Sequence, residues 1–497
     1  MSLLKDAAKG MVWTTASTVV RSVVSLLQVA ILTRFLEKSD FGIVAIATLF
    51  LGFTRIFMDL GISAGIMHKQ DTTPHQYSSL FWLNIIMGTL LTSILCACSP
   101  LIAKAYKEPE LVKIICLLSI TVFCSSLGSQ HRTVQQKMMR FKYISLVEIS
   151  SSLLSLGLAV YLAANSFGVY SLVYANILNA AIAGLLFLGI GLKMDRNISF
   201  HFRLSETYDY LKIGVFSIGS SVLDYFSREF DIMIISATLG KETVGVYSLC
   251  KKLVTAIYSA VNPIFIKVFT PVLALVQSEK QRVQNLYYDV IQSLALLNMP
   301  IYCMVAIFAM CILNFVYGEQ YLDGTLVLAF LALTYGVNTT GNPVGSLQIA
   351  MGRTDLGFYW TMVRIVTTAI ALFIGTQFGI NGIACSLLFL SCCVNPLFWK
   401  ISIQPILHGK YGDYFVNTLL VCLLVILYSI PFYLLFRSFT SVWVCLLVGF
   451  VYVCIYSILI CVLYSGSYFV RTLKERIIPY LINCILNDHL KRIMRVQ

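Results

Sequence analysis

The chain has 497 residues, of which 58% are hydrophobic and only 12% charged, and its mean hydropathy is +0.82. Soluble domains carry about a quarter charged residues, so a water-soluble enzyme or regulatory domain is excluded. The net charge of +13 does not indicate nucleic-acid binding, which would need a basic face on a soluble domain.

Apolar stretches of eighteen or more residues recur from end to end, each long enough at about 1.5 Å per residue to cross a hydrocarbon core of roughly 30 Å. Fourteen spans are expected: 11–34, 41–63, 78–102, 111–130, 144–164, 168–192, 211–238, 243–275, 289–315, 322–350, 358–378, 380–400, 414–436 and 441–464. The expected fold class is therefore an all-α polytopic membrane protein. The first stretch is too long for a signal peptide and carries Arg21 in its middle, so it is read as a span. With the N-terminus inside, inner segments hold twenty-two Lys and Arg and outer segments seven, which predicts cytoplasmic termini. Residues 471–497 mix basic and apolar positions around Pro479, as an amphipathic helix on the inner leaflet would.

Most of the fifteen cysteines fall inside spans and read as packing, with no outward pair for a disulfide. The six histidines form no metal motif, and there is no Walker loop or G-x-S-x-G, so no cofactor is expected.

The chain also repeats itself. Residues 9–44 align without a gap onto 212–247, with Lys9, Val12, Ser17, Val19, Ile31, Leu36, Lys38 and Gly42 meeting Lys212, Val215, Ser220, Val222, Ile234, Leu239, Lys241 and Gly245. A second echo sets Phe167-Gly168-Val169 against Phe378-Gly379-Ile380. A duplicated membrane unit suggests transport, with a site between two halves.

Charges inside the spans locate candidate residues. Arg21, Arg55, Arg228, Lys251, Lys252, Lys267 and Arg364 fall within them, as do Glu148, Asp224, Glu229 and Asp231. Each costs roughly 2.5–3.5 kcal/mol at a helix centre, so these groups should face a hydrated cavity or one another. Asp224, Arg228 and Asp231 are spaced i, i+4, i+7 on one helical face, and under the repeat they fall on Arg21, Ser25 and Gln28. Any single charge can equally be a buried ion pair, such as Asp224 or Asp231 with Lys251, or Arg55 with Asp59. As a set, seven bases outnumber four acids, and a diphosphate is the anion that would complete them.

Asp59-Leu60-Gly61-Ile62-Ser63-Ala64-Gly65, Phe81-Trp82-Leu83-Asn84, the run Gln136–Lys142 with Glu148, and Arg34-Phe35-Leu36 before Phe41-Gly42 carry a resemblance. The chain resembles the Wzx-type polysaccharide repeat-unit flippases of the multidrug/oligosaccharidyl-lipid/polysaccharide (MOP) exporter superfamily, in the colanic-acid and capsular branch. The likeness covers the whole length and is strongest over 1–200. It implies two pseudo-symmetric six-helix lobes, 1–192 and 211–400, joined by a cytoplasmic linker, 193–210. Two further helices over 401–465 and a basic tail over 466–497 complete the expected organisation. It further implies an undecaprenyl-diphosphate-linked oligosaccharide as substrate, carried from the cytoplasmic to the periplasmic leaflet of the bacterial inner membrane by alternating access. H+ or Na+ coupling and a polysaccharide polymerase partner are also expected, with membrane lipid as the surroundings. In that setting Arg21, Arg55, Arg228, Lys251 and Lys252 are the candidate substrate contacts. Asp224, Glu229 and Asp231 are the candidate ion-coupling carboxylates, and Tyr225, Phe226, Tyr247 and Tyr258 are candidate sugar platforms.

Two competitors follow from the same residues. A cation-coupled multidrug antiporter of the same superfamily should show an acidic cavity, whereas this set is basic. A polymerase or ligase needs catalytic groups in a large outer loop, and no expected outer loop exceeds about ten residues.

Overall fold

The structure is a computed structural model and describes residues 2–69, 71–194 and 199–464. The tail expected over 466–497 and the side chain of Lys267 lie outside the described residues. The order begins α1 (Ser2–Leu32), α2 (Lys38–Met58), α3 (Ile62–His68), α4 (Pro74–Tyr106), α5 (Leu111–Lys137), α6 (Phe141–Ala164) and α7 (Tyr170–Met194). It continues α8 (Tyr208–Thr238), α9 (Lys241–Leu275), α10 (Lys280–Ile307), α11 (Ala309–Val316), α12 (Thr325–Thr339), α13 (Pro343–Ala350) and α14 (Asp355–Thr376). After α15 (Gly379–Cys393) come the short α16 (Asn395–Phe398), α17 (Gln404–Leu407) and α18 (Tyr411–Asn417), then α19 (Leu419–Phe436) and α20 (Val442–Leu463).

No strand occurs among the described residues, so the protein is an all-α polytopic membrane protein. Eleven spans among the described residues are long and apolar enough to cross a bilayer, twelve if the broken stretch over 379–407 is one. Fourteen were expected. The helices α8 and α9, which carry seven of the eleven charges placed within spans, stand outside those eleven helices. At 31 and 35 residues they are nonetheless long enough to cross, roughly 46 and 52 Å.

The chain gathers into two compact units. Among the described residues, the first runs to Ile264 and adds Val316–Leu331 and Phe358–Leu390; the second holds Phe265–Phe315, Ala332–Gly357 and 391–464. In the first unit α5 and α7 approach most closely where Gly128 meets Gly184: a Cβ on Gly184 would lie 2.1 Å from the Cys124 carbonyl oxygen. Small residues at such a crossing let helix backbones touch where lipid supplies no hydrophobic drive. α14 shows how a span divides its surface. Phe358, Met362, Val366, Ile370 and Phe373 are exposed along one face, as lipid contact requires, leaving Arg364 on another.

Residues 199–206 of the linker dock on α4. Ser78 donates to the carbonyls of Ser199 and His201, and the Trp82 indole donates to Ser199 at 3.0 Å. Ser79 donates to Glu206 at 2.6 Å, and His201 meets the other oxygen of that carboxylate. The Ser79 hydroxyl first, and His201 second, hold the Glu206 carboxyl below its ordinary pKa. In the second unit α19 and α20 pack on α10: the Tyr456 hydroxyl donates to the Leu296 carbonyl at 2.7 Å, and Ser429 and Tyr452 hydrogen-bond at 2.9 Å.

Candidate functional site

Arg21 lies midway along α1, and its Nη1 donates to Glu148 Oε2 on α6 at 2.7 Å. Arg132 on α5 grips the other oxygen of that carboxylate with Nε at 3.0 Å and Nη2 at 2.9 Å. The α1–α6 contact that sets this geometry is close: Gly10 faces the Phe141 ring, and Ser145 donates to the Trp13 carbonyl at 3.0 Å. Two guanidinia therefore share one largely shielded carboxylate and retain a surplus positive charge. They face a cavity of about 230 Å³ with Ser125, Ser129 and Asn179.

On α8, Arg228 Nη2 holds Asp224 Oδ2 at 2.9 Å, while Arg364 of α14 lies 3.8 Å from Asp224 Oδ1. This is again two guanidinia on one carboxylate, and Asp224 holds the repeat position of Arg21. Asp224 follows Arg21 by 203 residues, and Arg364 follows Glu148 by 216. α1 is thus tied to α6 through a base on α1 and an acid on α6, and α8 to α14 through an acid on α8 and a base on α14.

Lys251 has a different environment. It is buried, and its ammonium donates to the Arg228 carbonyl at 2.7 Å, to Asp231 Oδ1 at 2.9 Å and to Glu229 Oε2 at 3.2 Å. The buried Tyr247 hydroxyl donates to Asp231 Oδ2 at 2.7 Å. Asp224, Arg228 and Asp231 were expected to look in one direction. Instead Asp231 turns to α9, because Lys251 and Tyr247 give its carboxylate better-shielded partners than water. The ion-pair alternative holds for Asp231 with Lys251 and not for Asp224, whose partners are Arg228 and Arg364. Tyr247 is too buried to serve as a sugar platform. Tyr225 is committed as well, its hydroxyl donating to the Leu49 carbonyl and its ring lying against Phe53.

Arg55 does not pair with Asp59. That carboxylate accepts from the Ser63 backbone and hydroxyl across the turn at Leu60 and Gly61, which have φ of 46° and 69°. Arg55 instead donates weakly to Thr121, at 3.3 Å, and lines a cavity of about 280 Å³ with Gly52, Asp59, Ile218 and Ser221. Lys252 is half-buried, and no carboxylate pairs with it among the described residues. The structure therefore brings Arg21 to Glu148 and Arg132, and Arg228 to Asp224 and Arg364, and it leaves Arg55 and Lys252 free of acids. Sequence reasoning left Arg132 in an inner loop. The signal that could have found it is its spacing one turn beyond Gly128, on the closely packed face of α5.

The repeat is visible at one end of the first unit. A Cβ on Gly42 would fall 1.8 Å from the Lys241 carbonyl oxygen, and one on Gly245 would fall 2.1 Å from that of Lys38. These four residues are two repeat-equivalent pairs, so α2 and α9 cross reciprocally at backbone contact. The flanking ion pairs are exchanged in the same way: Lys38 holds Asp323 at 2.7 Å, and Lys241 holds Glu108 at 2.8 Å. Glu108 closes the turn Tyr106-Lys107-Glu108, and Asp323 lies four residues beyond the similar turn Tyr317-Gly318-Glu319; the central residues of both turns take positive φ, 56° and 97°.

Comparison with known proteins agrees with this geometry. The model of a family described as polysaccharide biosynthesis protein matches residues 31–325. The teichuronic acid biosynthesis protein TuaB of Bacillus subtilis (strain 168) is 30% identical over 381 residues, which are 76% of this chain and 78% of that protein. Among solved structures, the lipid II flippase MurJ in an inward closed conformation superposes with a TM-score of 0.72 at 13% identity, covering 91% of this chain and 99% of MurJ. An inward-facing multidrug resistance MATE transporter of the MOP superfamily gives 0.54 at 14% identity, over 80% of this chain and 94% of its own.

Proposed function

We propose that this chain, which belongs to the polysaccharide biosynthesis protein family and to the MOP exporter superfamily, carries lipid-linked oligosaccharide across the bacterial inner membrane. The observation that supports this most is the surplus of cations held at membrane depth. Arg21 and Arg132 share Glu148, Arg228 and Arg364 share Asp224, and Arg55 and Lys252 pair with no acid among the described residues. Such a surplus needs an anion, and the diphosphate of an undecaprenyl-linked oligosaccharide supplies one that guanidinium forks match. Names of relatives point the same way.

The two repeats form the two lobes, 1–192 and 211–400, and Arg21, Arg55, Arg228 and Lys252 are the substrate contacts. Lys251, Glu229 and Asp231 form the group in which protonation or cation binding is coupled to movement. The reciprocal seat of Gly42 and Gly245 closes the periplasmic end, so loading is from the cytoplasm. Rocking of the lobes then releases the sugar outside while the lipid tail stays in the bilayer. An organic-cation antiporter is disfavoured by the same surplus, which repels its substrate.

The test is reconstitution into liposomes with a fluorescent undecaprenyl-diphosphate oligosaccharide, with and without a proton or sodium gradient. Gradient-dependent exposure of the label that is lost in Arg228→Ala supports the reading. Wild-type exposure in that variant removes Arg228 from the site, and efflux of an organic cation in place of flipping overturns the function.

A further inference from the structure

We propose that the cavity walled by α1, α5, α6 and α7 is a subsite for a single sugar ring carrying one carboxylate. The inference rests on the oligosaccharide-transport reading and adds a substrate class to it.

Three observations combine. At about 230 Å³ the cavity falls below the roughly 300–1,000 Å³ of pockets for drug-sized ligands, the scale of one sugar ring rather than a whole repeat unit. Its polar wall is unspent. The Ser129 hydroxyl is buried with no hydrogen-bond partner, and neither Ser125 nor Asn179 has one among the described residues. A buried hydroxyl left unpaired is destabilising unless something polar enters to meet it. Ser151 and Ser152, by contrast, are occupied, both donating to the Glu148 carbonyl. Finally, Ala183 and Phe187, on the same face of α7 as Asn179, add an apolar surface to the lining, which suits the C–H face of a pyranose.

Charge selects the substituent. Glu148 takes one N–H from Arg21 and two from Arg132, leaving most of their donors and one net positive charge facing the cavity. A monoanionic carboxylate matches that surplus and the fork geometry of a guanidinium. A phosphate monoester, nearer −2 at neutral pH, would be held less well because Glu148 repels the second charge. A neutral sugar would leave the surplus unanswered.

The experiment is saturation-transfer NMR on the full chain in nanodiscs with methyl glucuronide, methyl glucoside and glucose 1-phosphate as probes. Methyl glucuronide should give the strongest transfer, reduced at least fivefold in Asn179→Leu, which fills the cavity, and in Ser125→Ala, which only deletes a donor. Each variant is compared at an unchanged thermal midpoint. Equal transfer to the glucoside, stronger transfer to the phosphate, or no transfer to the glucuronide overturns the assignment. Flipping assays separate this from the parent reading. A chain that flips acidic and neutral oligosaccharides alike in both wild type and Asn179→Leu loses the subsite alone, whereas one that flips neither loses the transport reading.

Discussion

Replacing Gly42 by alanine tests the crossing of α2 and α9 directly. The added Cβ would lie 1.8 Å from the Lys241 carbonyl oxygen and 2.6 Å from its carbon, atoms of a helix backbone that no side-chain rotation can move. Ordinary C–H···O contacts begin at about 3.3 Å, so the helix ends must part by roughly 1.5 Å. Overpacking of this kind costs about 1–3 kcal/mol, which corresponds to a roughly 5- to 150-fold rise in the population of the parted state. Hydrogen exchange of the full chain in nanodiscs reads it. Peptides over 38–50 and 241–253 should exchange faster by a factor in that range, and flipping should slow. Gly157→Ala is the control. No atom lies within 4 Å of its added Cβ, so a helix interior gains about 0.5–1 kcal/mol of propensity and loses nothing. Exchange unchanged within twofold in Gly42→Ala, or an equal rise in Gly157→Ala, would refute the backbone seat.

Lys251→Met leaves Glu229 and Asp231 facing each other without a cation; removing one partner of a buried pair costs about 3–5 kcal/mol, read as a large fall in thermal midpoint. Lys252→Met should keep that midpoint and lower flipping, because no acid depends on it. Glu206 has a depressed pKa, so its contribution to linker docking is present above the ordinary glutamate value of about 4.3 and is lost as pH falls through the depressed one. Limited proteolysis over 199–210 should therefore accelerate on acidification in the wild type and show no such step in Glu206→Gln. Lys38→Asp should raise exchange over 38–50 by no more than about fivefold, the worth of a half-exposed ion pair, and adding Asp323→Lys should restore it. Failure of the double variant to recover removes the exchanged pair from the closure.

Much of this architecture was legible because lipid makes hydropathy and charge unusually informative. Every long apolar run had to be a helix, and every charge within one had to have a reason. The repeat was visible at its start but understated, since gaps shift the offset from 203 to between 211 and 216. Ser79-Leu80 with Leu83-Asn84 meets Ser293-Leu294 with Leu297-Asn298, and Tyr106 and Glu108 meet Tyr317 and Glu319. Helical spacing could place Asp224, Arg228 and Asp231 on one face, but it could not say that Asp231 would turn to Lys251. That depends on which neighbour packs there, a tertiary fact. Arg132 was illegible for a related reason: it sits where a span was expected to have ended, whereas α5 runs on to Lys137 and is still packed on α7 there, His131 against Gly191.

The acids inside the basic clusters also argue for transport rather than storage. A carrier must release what it binds, and two bare guanidinia would hold a carboxylate or diphosphate tightly while repelling each other. Glu148 cancels half of that charge and fixes both guanidinium planes, so the site is oriented and only moderately attractive. Glu148→Gln would remove one negative charge from beside the ligand. At about 6 Å and an effective dielectric near 20, that is worth up to roughly 3 kcal/mol of added attraction. Acidic oligosaccharide should then bind tighter, by as much as ~150-fold, and cross more slowly, so KM and kcat for flipping fall together while a neutral oligosaccharide is little affected. Weaker binding of the acidic oligosaccharide in this variant would mean that Glu148 matters only by aiming Arg21 and Arg132, and the attenuation argument would be lost.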